Sequence, residues 1–386
     1  MKKICMFTIG DLFNNQTGGK KRFLELHHYL ITNNYQVDLF CGNSQEELKQ
    51  NQIKGFSLEM NGKYKGFLNI PSHKIYINNK EIYEKIKNSN YDYIISFDVP
   101  STIGLCLKKI PNIYYFIRQD FLGYRKIQYE SLKLNKIKKY ILLFIGWIME
   151  SFCLIFSKNI ILQCYYDLEI IKKRHLILKN IIQKKSKIQI NNINPLWIIN
   201  NLSTLKNSIC KKINEKTYDV IFVGNFDDER KGYKLFLEAM ELLYKNNRMN
   251  LKCIMLGGGK YLKSVQEKYK ENSNIIFTDY IKNPAEFIIN SKLMVVPSYA
   301  DSCPNTVLEA LFLEIPVIGS NRSGIPEILN DKEWLFELKS DILALKIEDI
   351  FKNNKLEKIY LKQKKRTKEL SFDWGEKVCN ILGRVE

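Results

Sequence analysis

Two carboxylates flank a proline-containing turn in the last third of the chain. In the stretch PSYADSCPNTVLEALFLEIPVIGS, Asp301 lies at the mouth of the turn and Glu309 follows eight positions later in an apolar, helix-like run. Each acid has a purely local alternative role. Asp301 could close an Asx-turn, and Glu309 could complete a capping box with Thr306. Together, the two acids frame the start of a helix, and this arrangement suits a ligand that carries both phosphate and hydroxyl groups.

The chemistry expected at this turn follows from the position of the helix. The strand LMVVPS ends just before the turn, so the amides of Asn305, Thr306 and Val307 should lie at a helix N-terminus on the carboxyl edge of a sheet. Such a terminus attracts phosphate oxygens. A carboxylate one turn inside the helix can accept two hydrogen bonds from a ribose diol, and an acid in the preceding turn can accept hydroxyls of the group that the phosphates carry. A nucleotide-sugar presents a diol, a diphosphate and a polyhydroxy ring in that order, which favours a ligand of this class.

Short apolar runs and amphipathic runs alternate along the whole chain. In the first half, strands are predicted at KICMFTI, QVDLFC, YDYIISF and NIYYFI. The second half restarts the rhythm with YDVIFVGNF, LKCIMLG, NIIFTDY, LMVVPS and PVIGS. Strands separated by helical segments predict βαβ units and parallel sheets. We therefore expect an α/β protein of two Rossmann-like, doubly wound domains that face each other across a cleft, with ligands at the carboxyl ends of the strands.

The length of the chain predicts how these units are divided. A chain of 386 residues is too long for one typical core. The stretch 191–216 is rich in Asn, Ser and Lys and carries a proline, so it is the expected linker. We expect an N-terminal domain over 1–200 and a C-terminal domain over 201–365, with the C-terminal helix 366–386 packing back on the first domain.

The composition restricts the partners and the compartment. The chain has 60 Lys and Arg against 41 Asp and Glu, a formal net charge of +19, so nucleic acid, anionic lipid and phosphorylated small molecules are all candidate partners. Its nine cysteines are dispersed and form no C-x-x-C pair, which fits buried thiols in a reducing compartment. The first apolar stretch, of about five residues, is shorter than a signal peptide requires. These features together predict a cytoplasmic protein.

One segment departs from the alternating pattern. Residues 140–156, YILLFIGWIMESFCLIF, are almost wholly apolar, and the lysine-rich stretch KLNKIKK precedes them. The segment could be a helix buried in the core of the first domain. It could also be partly exposed and dock on a bilayer, with Lys133, Lys136, Lys138 and Lys139 contacting anionic head groups. The two interpretations are compatible with each other.

The stretch 297–329, PSYADSCPNTVLEALFLEIPVIGSNRSGIPEIL, strongly resembles the E-x7-E region of family 4 glycosyltransferases, which have the GT-B fold. Asp301 stands where the first Glu of that pattern is usual, and Glu309 matches the second, which by resemblance holds the nucleotide ribose. YDVIFVGNFDDERKGYKLFLEAM resembles the phosphate-binding strand, loop and helix of the family, with Lys231 as the phosphate-binding lysine. Asn225 replaces the usual Arg after Gly224, and Arg230 could compensate for the missing charge.

The resemblance extends to other parts of the chain. LGGGKY resembles the glycine-rich turn that contains Gly257, and FTIGDLFNNQTGGKKRFLELHHYL resembles the N-terminal Gly-Gly loop with Gly18 and Gly19. Many relatives carry a His at the end of a later strand, where YYFIRQDFLGYR offers Arg118, Gln119 and Asp120. FDWGEKV resembles the closing helix of the family, with Trp374 as its packing anchor.

The resemblance implies a glycosyltransferase of the hexosyltransferase type that retains anomeric configuration and needs no metal or other cofactor, since the nucleotide-sugar is a substrate. The residues expected to be catalytic are Asp301, Glu309, Lys231 and Arg118. Those expected to bind the donor are Gly18, Gly19, Gly224, Asn225, Arg230, Lys231, Gly257, Asn305, Thr306, Val307 and Glu309. Those expected to bind the acceptor are Asp98 and Asp120.

The expected acceptor is a lipid-linked glycan, as in the assembly of a bacterial surface polysaccharide such as capsule or O-antigen. The protein would then be cytoplasmic or peripheral on the inner face of the plasma membrane, with an anionic membrane surface as a further partner and without nucleic acid. A nucleotide-sugar epimerase of the same fold is an alternative, although His residues suited to acid–base work are scarce. A basic nucleic-acid-binding α/β protein is a third, but it gives no reason for the Asp301/Glu309 arrangement.

Overall fold

The computed structural model describes residues 2–13, 18–59, 72–132, 134–193, 198, 201, 215–227, 229–245 and 248–383. The chain forms two compact units. The N-terminal unit comprises Met1–Gln189 together with Asp373–Glu386, and the C-terminal unit comprises Ile190–Phe372. Most of the expected linker 191–216 lies outside the described residues.

The limits of the units differ from the expected boundaries at 200 and 366. Asn192 already belongs to the C-terminal unit, because its Nδ2 donates a hydrogen bond of 2.6 Å to the carbonyl of Phe372. Residues 366–372 also stay with the C-terminal unit. Arg366 Nε donates to the carbonyl of Ile328 at 2.6 Å, and Thr367 Oγ1 donates to the carbonyl of Leu311 at 2.9 Å. The segment that returns to the N-terminal unit therefore begins at Asp373.

Each unit contains one parallel sheet. The strands of the N-terminal unit are β1 Lys3–Phe7, β2 Gln36–Cys41, β3 Gly55–Ser57, β4 Tyr93–Phe97, β5 Ile113–Ile117, β6 Asn159–Leu162 and β7 Ser186–Ile188. Those of the C-terminal unit are β8 Tyr218–Val223, β9 Cys253–Leu256, β10 Ile275–Thr278, β11 Ser291–Val296, β12 Val317–Ser320 and β13 Leu335–Phe336. Their central strands are short apolar runs that are buried along their length, as is typical of parallel strands covered on both faces.

The helices connect these strands. In the N-terminal unit they are α1 Gly18–Thr32, α2 Gln45–Gln50, α3 Ser72–Asn78, α4 Lys80–Asn88, α5 Val99–Leu107, α6 Phe121–Ser131, α7 Lys136–Phe156, α8 Tyr165–Arg174, α9 Lys179–Lys185 and, after the C-terminal unit, α17 Trp374–Leu382. In the C-terminal unit they are α10 Tyr233–Tyr244, α11 Leu262–Lys268, α12 Ala285–Ile289, α13 Asn305–Phe312, α14 Ile325–Leu329, α15 Ser340–Lys352 and α16 Leu356–Glu369. Short 3-10 turns lie at Leu176–Leu178, Glu229–Lys231 and Lys332–Trp334.

The strand order shows where each sheet can bind a ligand. The sheets have the orders β3-β2-β1-β4-β5-β6-β7 and β10-β9-β8-β11-β12-β13, with parallel pairing throughout. The direction in which strands are added therefore reverses between β1 and β4 in one unit and between β8 and β11 in the other. In open α/β sheets, ligands bind at such a reversal, outside the carboxyl ends of the strands. The doubly wound, Rossmann-like order predicted from the sequence is confirmed in each unit.

Candidate functional site

The expected donor residues of the C-terminal unit meet at the reversal between β8 and β11. Arg230 and Lys231 lie in the loop that follows β8, and Asp301 lies in the loop that follows β11. These two strands pair directly, with Leu293 opposite Val220. The carboxyl ends of neighbouring parallel strands meet at one edge, and residues 70 positions apart in sequence are thereby brought into contact.

The two loops are joined by an ion-pair cluster. Lys231 Nζ donates to Asp301 Oδ2, and Arg230 Nη1 lies 3.6 Å from the same oxygen. Arg230 Nη1 also donates to the carbonyl of Ala300 at 2.9 Å, and the amide of Tyr299 donates to the carbonyl of Arg230 at 2.8 Å. The loop that follows β11 therefore holds the basic loop in place.

The electrostatic state of Asp301 follows from these contacts. Its side chain is only 15% exposed, and burial alone would raise its pKa. Lys231, Arg230 and the amide of Cys303 together outweigh burial, so that the pKa of Asp301 lies below its ordinary value. The hydrogen bond from the Cys303 amide means that Asp301 also plays the local turn role considered from the sequence. It is thus an ionised carboxylate next to two cations.

Two glycines permit the close approach of these loops. Gly232 has φ +75°, and a Cβ there would lie 1.9 Å from the carbonyl oxygen of Pro297. Gly257 has φ +148°, and a Cβ there would lie 1.9 Å from the carbonyl oxygen of Gly224. Only glycine combines such backbone angles with so little space. The glycines therefore set the positions of Lys231 and of the turn after β9.

The start of α13 differs in detail from the expectation. The helix begins at Asn305, and its N-cap residue is Pro304, which makes no side-chain cap. The capping box between Thr306 and Glu309 is therefore absent. The amide of Val307 donates to the carbonyl of Pro304 at 3.2 Å, so it already has a partner within the chain, and its expected contact with the donor stays a prediction. A tight 3-10-type first turn explains this hydrogen bond.

Glu309 lies one turn inside α13 on its partly exposed side. Val307, Leu308, Ala310 and Leu311 are buried in the core of the unit. Asn305, Thr306 and Glu309 are partly exposed. These three occupy one side of the helix, since residues at i and i+4 lie above one another. The structure thus leaves Glu309 on a surface that a ligand can reach.

The loop after β8 also contains Asn225, an expected donor residue, and Asp227. Asn225 is exposed, and its Nδ2 lies 3.5 Å from Asp227 Oδ2, a long hydrogen bond. Asp227 Oδ1 accepts a hydrogen bond of 3.0 Å from the amide of Lys260, so that carboxylate ties the loop to the glycine-rich turn. Asp228 lies outside the described residues. Among the residues that the structure describes, no cluster of three or more His, Cys, Asp or Glu suits a metal ion.

In the N-terminal unit, Asp98 lies at the carboxyl end of β4, beside the reversal of strand order. It is the N-cap residue of α5 and has φ 66° and ψ 156°, a region that side-chain-bearing residues rarely adopt. Its side chain is exposed, yet surrounding protein atoms desolvate it enough to raise its pKa to about 6, against the opposing effect of Arg118 and Arg125. Arg118 stacks over the ring of Phe97, with 5.4 Å from the guanidinium carbon to the ring centroid. The two expected residues are therefore neighbours.

Asp120, the other expected acceptor residue, is engaged in an ion-pair network. Arg174 Nη2 donates to Asp120 Oδ1 at 2.5 Å, and Arg174 Nη1 donates to Glu150 at 2.9 Å. Glu150 is fully buried and lies 2.7 Å from His175 Nε2. No local sequence pattern predicts this network, because the side chains that contact each other are 24 to 54 positions apart. Gly18 and Gly19, expected in the Gly-Gly loop, are the first two residues of α1, and residues 14–17 before them lie outside the described residues.

Residues 206–368 match the family model described as glycosyl transferases group 1. This match includes Gly224, Lys231, Asp301 and Glu309. The chain is 30% identical over 182 residues to an uncharacterized glycosyltransferase of Methanocaldococcus jannaschii, which spans 45% of this chain and 42% of the relative. It is 23% identical over 222 residues to the capsular polysaccharide biosynthesis glycosyltransferase CapM of Staphylococcus aureus, which spans 54% of this chain and 58% of the relative.

A third relative is an α-1,4-N-acetyl-D-galactosaminyltransferase of Campylobacter jejuni, named for an acceptor built on diNAcBac-PP-undecaprenol. It is 26% identical over 119 residues, which span 30% of this chain and 33% of the relative. The chain thus matches from about a third to somewhat over half of the length of these curated relatives.

Solved structures match almost the entire chain. Sucrose-phosphate synthase from Thermosynechococcus elongatus superposes with a TM-score of 0.73 at 15% identity, over 99% of this chain and 98% of that one. Anabaena HepE in complex with UDP-glucose superposes with a TM-score of 0.67 at 13% identity, over the whole of both chains. The predicted α/β fold of the GT-B class is confirmed by these matches.

Proposed function

We propose that this protein is a glycosyltransferase that moves a sugar from a nucleotide-sugar donor to a glycan acceptor. The observation that carries the proposal is the cluster of Arg230, Lys231 and Asp301 at the strand-order reversal of the C-terminal unit. It lies within the segment that matches group 1 glycosyltransferases, and the relatives named above are glycosyltransferases. These matches favour a transferase over an epimerase or a nucleic-acid-binding protein.

Within the C-terminal unit, the geometry supports separate roles for the two cations, the start of α13 and Glu309. Transfer requires stabilisation of the diphosphate leaving group while the anomeric carbon becomes cationic. The carbonyl of Ala300 holds Arg230 and the carboxylate of Asp301 holds Lys231, so both cations already lie at the site where negative charge would develop on the leaving group. The amides of Asn305 and Thr306 would add to this at the start of α13. Glu309 would accept hydrogen bonds from the ribose diol.

Asp301 would have two functions at successive stages. Before the donor binds, it neutralises Lys231 and Arg230. When the diphosphate arrives, the lysine can turn to the phosphates, and the carboxylate becomes available to the hydroxyls of the donor sugar. We further propose retention of anomeric configuration, which rests on the family resemblance. No metal or other cofactor enters the proposed mechanism.

The finer identity of donor and acceptor is proposed by analogy. The fold match to HepE with UDP-glucose makes uridine-diphosphate sugars the first donors to test. The capsule-related and undecaprenol-related relatives make a lipid-linked glycan of a surface polysaccharide the first acceptor. Asp98 and Asp120 are the proposed acceptor residues, with Arg118 near the reacting groups. The proposed compartment is the cytoplasm, because the eight described cysteines are buried and unpaired.

The test is hydrolysis or transfer from a panel of UDP-, GDP- and other nucleotide-sugars. We expect Glu309→Gln to lower turnover by at least about 100-fold, because a neutral amide loses the charge-assisted hydrogen bonds to the donor. The variant should unfold at the temperature of the wild type, since the side chain is partly exposed. Glu357→Gln, an exposed acid of α16 in the same unit, is the matched control and should keep full activity. Wild-type turnover in Glu309→Gln would exclude the proposed site.

A further inference from the structure

The helix α7 exposes an apolar face along its whole length. Ile137 is 74% exposed and Phe144 is 61% exposed, values far above those of core residues. Exposed side chains recur at the spacing of one helix face, which brings them into a single stripe. The large hydrophobic residues exposed on α7 are Ile137, Tyr140, Ile141, Phe144, Trp147, Ile148, Phe152, Ile155 and Phe156.

The opposite face of α7 is built into the N-terminal unit. Leu142, Gly146, Glu150, Cys153 and Leu154 are buried. Within the described residues, α7 is the helix whose length and composition would suffice to cross a bilayer. A spanning helix of this chain would have to expose the carboxylate of Glu150 and its ion pair with Arg174 to lipid, at great cost. The helix is therefore suited to lie along a membrane surface.

The apolar surface continues beyond α7. The ring of Trp147 stacks on that of His175 with 5.3 Å between the centroids, and Trp147 Nε1 donates to the carbonyl of Arg174 at 3.4 Å. The 3-10 turn that follows projects Leu176, which is 68% exposed, and Ile177, which is 96% exposed. We call the exposed stripe of α7 together with Leu176, Ile177 and Ile181 the apolar ledge. An exposed apolar patch of this extent marks an interaction surface.

The charges around the ledge indicate what covers it. Glu150 is the only acid in α7, and it is buried. Lysines that are exposed at or near the ledge are Lys136, Lys173, Lys179 and Lys184. Lys139, a lysine expected from the sequence to contact head groups, is paired with Glu130 at 2.6 Å, and Lys133 lies outside the described residues. Tyr140 and Trp147 are side chains that favour the boundary between water and lipid.

We propose that the apolar ledge docks the N-terminal unit on an anionic lipid bilayer, with α7 in the plane of the interface. Its aromatic and aliphatic side chains enter the boundary between head groups and acyl chains, and the surrounding lysines contact acidic head groups. The exposed charges near the ledge are lysines, and α7 carries no exposed acid. Two ledges facing each other would bring like charges together, so the ledge favours lipid over a second copy of this chain. The proposal stands whether or not the protein transfers sugars.

The test is co-sedimentation of the full chain with phosphatidylcholine vesicles, with and without phosphatidylglycerol. We expect binding only to the vesicles that contain phosphatidylglycerol, and its loss at high salt. The double variant Phe144→Ser/Ile177→Ser should bind at least about tenfold more weakly, since each large side chain contributes about that factor when it is buried. Leu345→Ser/Leu361→Ser, which removes two exposed leucines of the C-terminal unit, is the matched control and should bind as the wild type does.

Other outcomes would overturn the proposal. Equal sedimentation of wild type and the Phe144→Ser/Ile177→Ser variant would show that the ledge is not the docking surface. A wild-type dimer in analytical ultracentrifugation that this variant abolishes, without lipid binding, would assign the ledge to a second copy. A second variant, Lys173→Gln/Lys179→Gln, tests the lysines and should bind phosphatidylglycerol vesicles more weakly than the wild type. This variant and Phe144→Ser/Ile177→Ser should both unfold at the temperature of the wild type, and unchanged binding of the lysine variant would contradict the role of the lysines. Resistance of membrane-bound protein to an alkaline wash would indicate a spanning helix instead.

Discussion

Asp98 combines a strained backbone with a raised side-chain pKa. A residue with φ 66° and ψ 156° costs about 1–3 kcal/mol unless it is glycine. Partial desolvation raises the pKa of its carboxyl to about 6, opposed by Arg118 and Arg125. The backbone strain and the raised pKa both lower the stability of the folded state, and both belong to one residue at the strand-order reversal. Such costs are typical of functional positions, which supports the proposed role of Asp98 towards the acceptor.

The raised pKa predicts how stability depends on pH at Asp98. Between pH 3.8 and about 6 the folded state binds more protons than the unfolded state, so the contribution of Asp98 to stability falls as pH rises through this range. Asp98→Asn should therefore raise the unfolding temperature at pH 8 and have little effect at pH 4. Asp98→Gly should add a gain that is the same at both pH values, because it also relieves the backbone. Thermal unfolding at the two pH values measures both effects, and an equal shift for Asp98→Asn at each would contradict the assignment.

The residues of the candidate site differ in how far sequence could predict them. Lys231, Asp301 and Glu309 were predicted because their positions along a strand, turn and helix carry a recognisable pattern. The pairing of Lys231 with Asp301 and the bond from Val307 to Pro304 depend on side-chain and backbone geometry that no spacing encodes. Arg174, which links Asp120 to Glu150, has no sequence signal at all.

At the scale of elements, the apolar runs predicted the strands closely. KICMFTI contains β1 and PVIGS contains β12, because a strand buried on both faces must be continuously apolar. The segment 140–156 was ambiguous for the same reason. A nearly continuous apolar run does not reveal which of its sides is covered, and only the packing of α7 shows that one side is buried and the other exposed.

The turn after β9 offers a test of how the loops hold one another. Gly257→Ala should destabilise the protein by about 1–3 kcal/mol, because its φ is +148° and the new Cβ would lie 1.9 Å from the carbonyl oxygen of Gly224. It should also displace the loop that carries Lys231 and so lower sugar transfer. Gly258→Ala is the control, since its Cβ would meet mainly the movable carboxylate of Asp279 at 2.5 Å. Denaturant unfolding of the two variants compares them, and equal losses would refute this account of Gly257.

At the scale of the whole molecule, the N-terminal unit is completed by a distant part of the chain. Trp374 in α17 is 1% exposed, and the guanidinium of Arg22 in α1 lies 5.7 Å from the centroid of its ring. The next residue, Gly375, packs against the ring of Tyr29, where a Cβ would come within 2.3 Å. The sequence predicted this return of the chain, but its start at Asp373 depends on the contacts of Arg366 and Thr367 within the C-terminal unit.

The division of the chain into two units predicts that Trp374 stabilises the N-terminal unit and Trp334 the C-terminal unit. Trp374→Ala should lower the free energy of unfolding by about 3–5 kcal/mol, as expected for a buried aromatic. Peptides from β1 and β4 should lose hydrogen-exchange protection while peptides from β8 and β11 keep it. Trp334→Ala in the C-terminal unit, also buried, should produce the reverse pattern. Loss of protection in both units from either substitution would show that they unfold together.

The return of the chain at Asp373 has a consequence for biosynthesis. The ribosome makes the whole of the C-terminal unit between the body of the N-terminal unit and the helix that covers Arg22 and Tyr29. Although most of the N-terminal unit emerges first, that surface of α1 stays uncovered until translation has passed Leu382. The domain that starts synthesis therefore finishes folding last, and a nascent chain that stalls before α17 presents an incomplete first domain to chaperones and proteases.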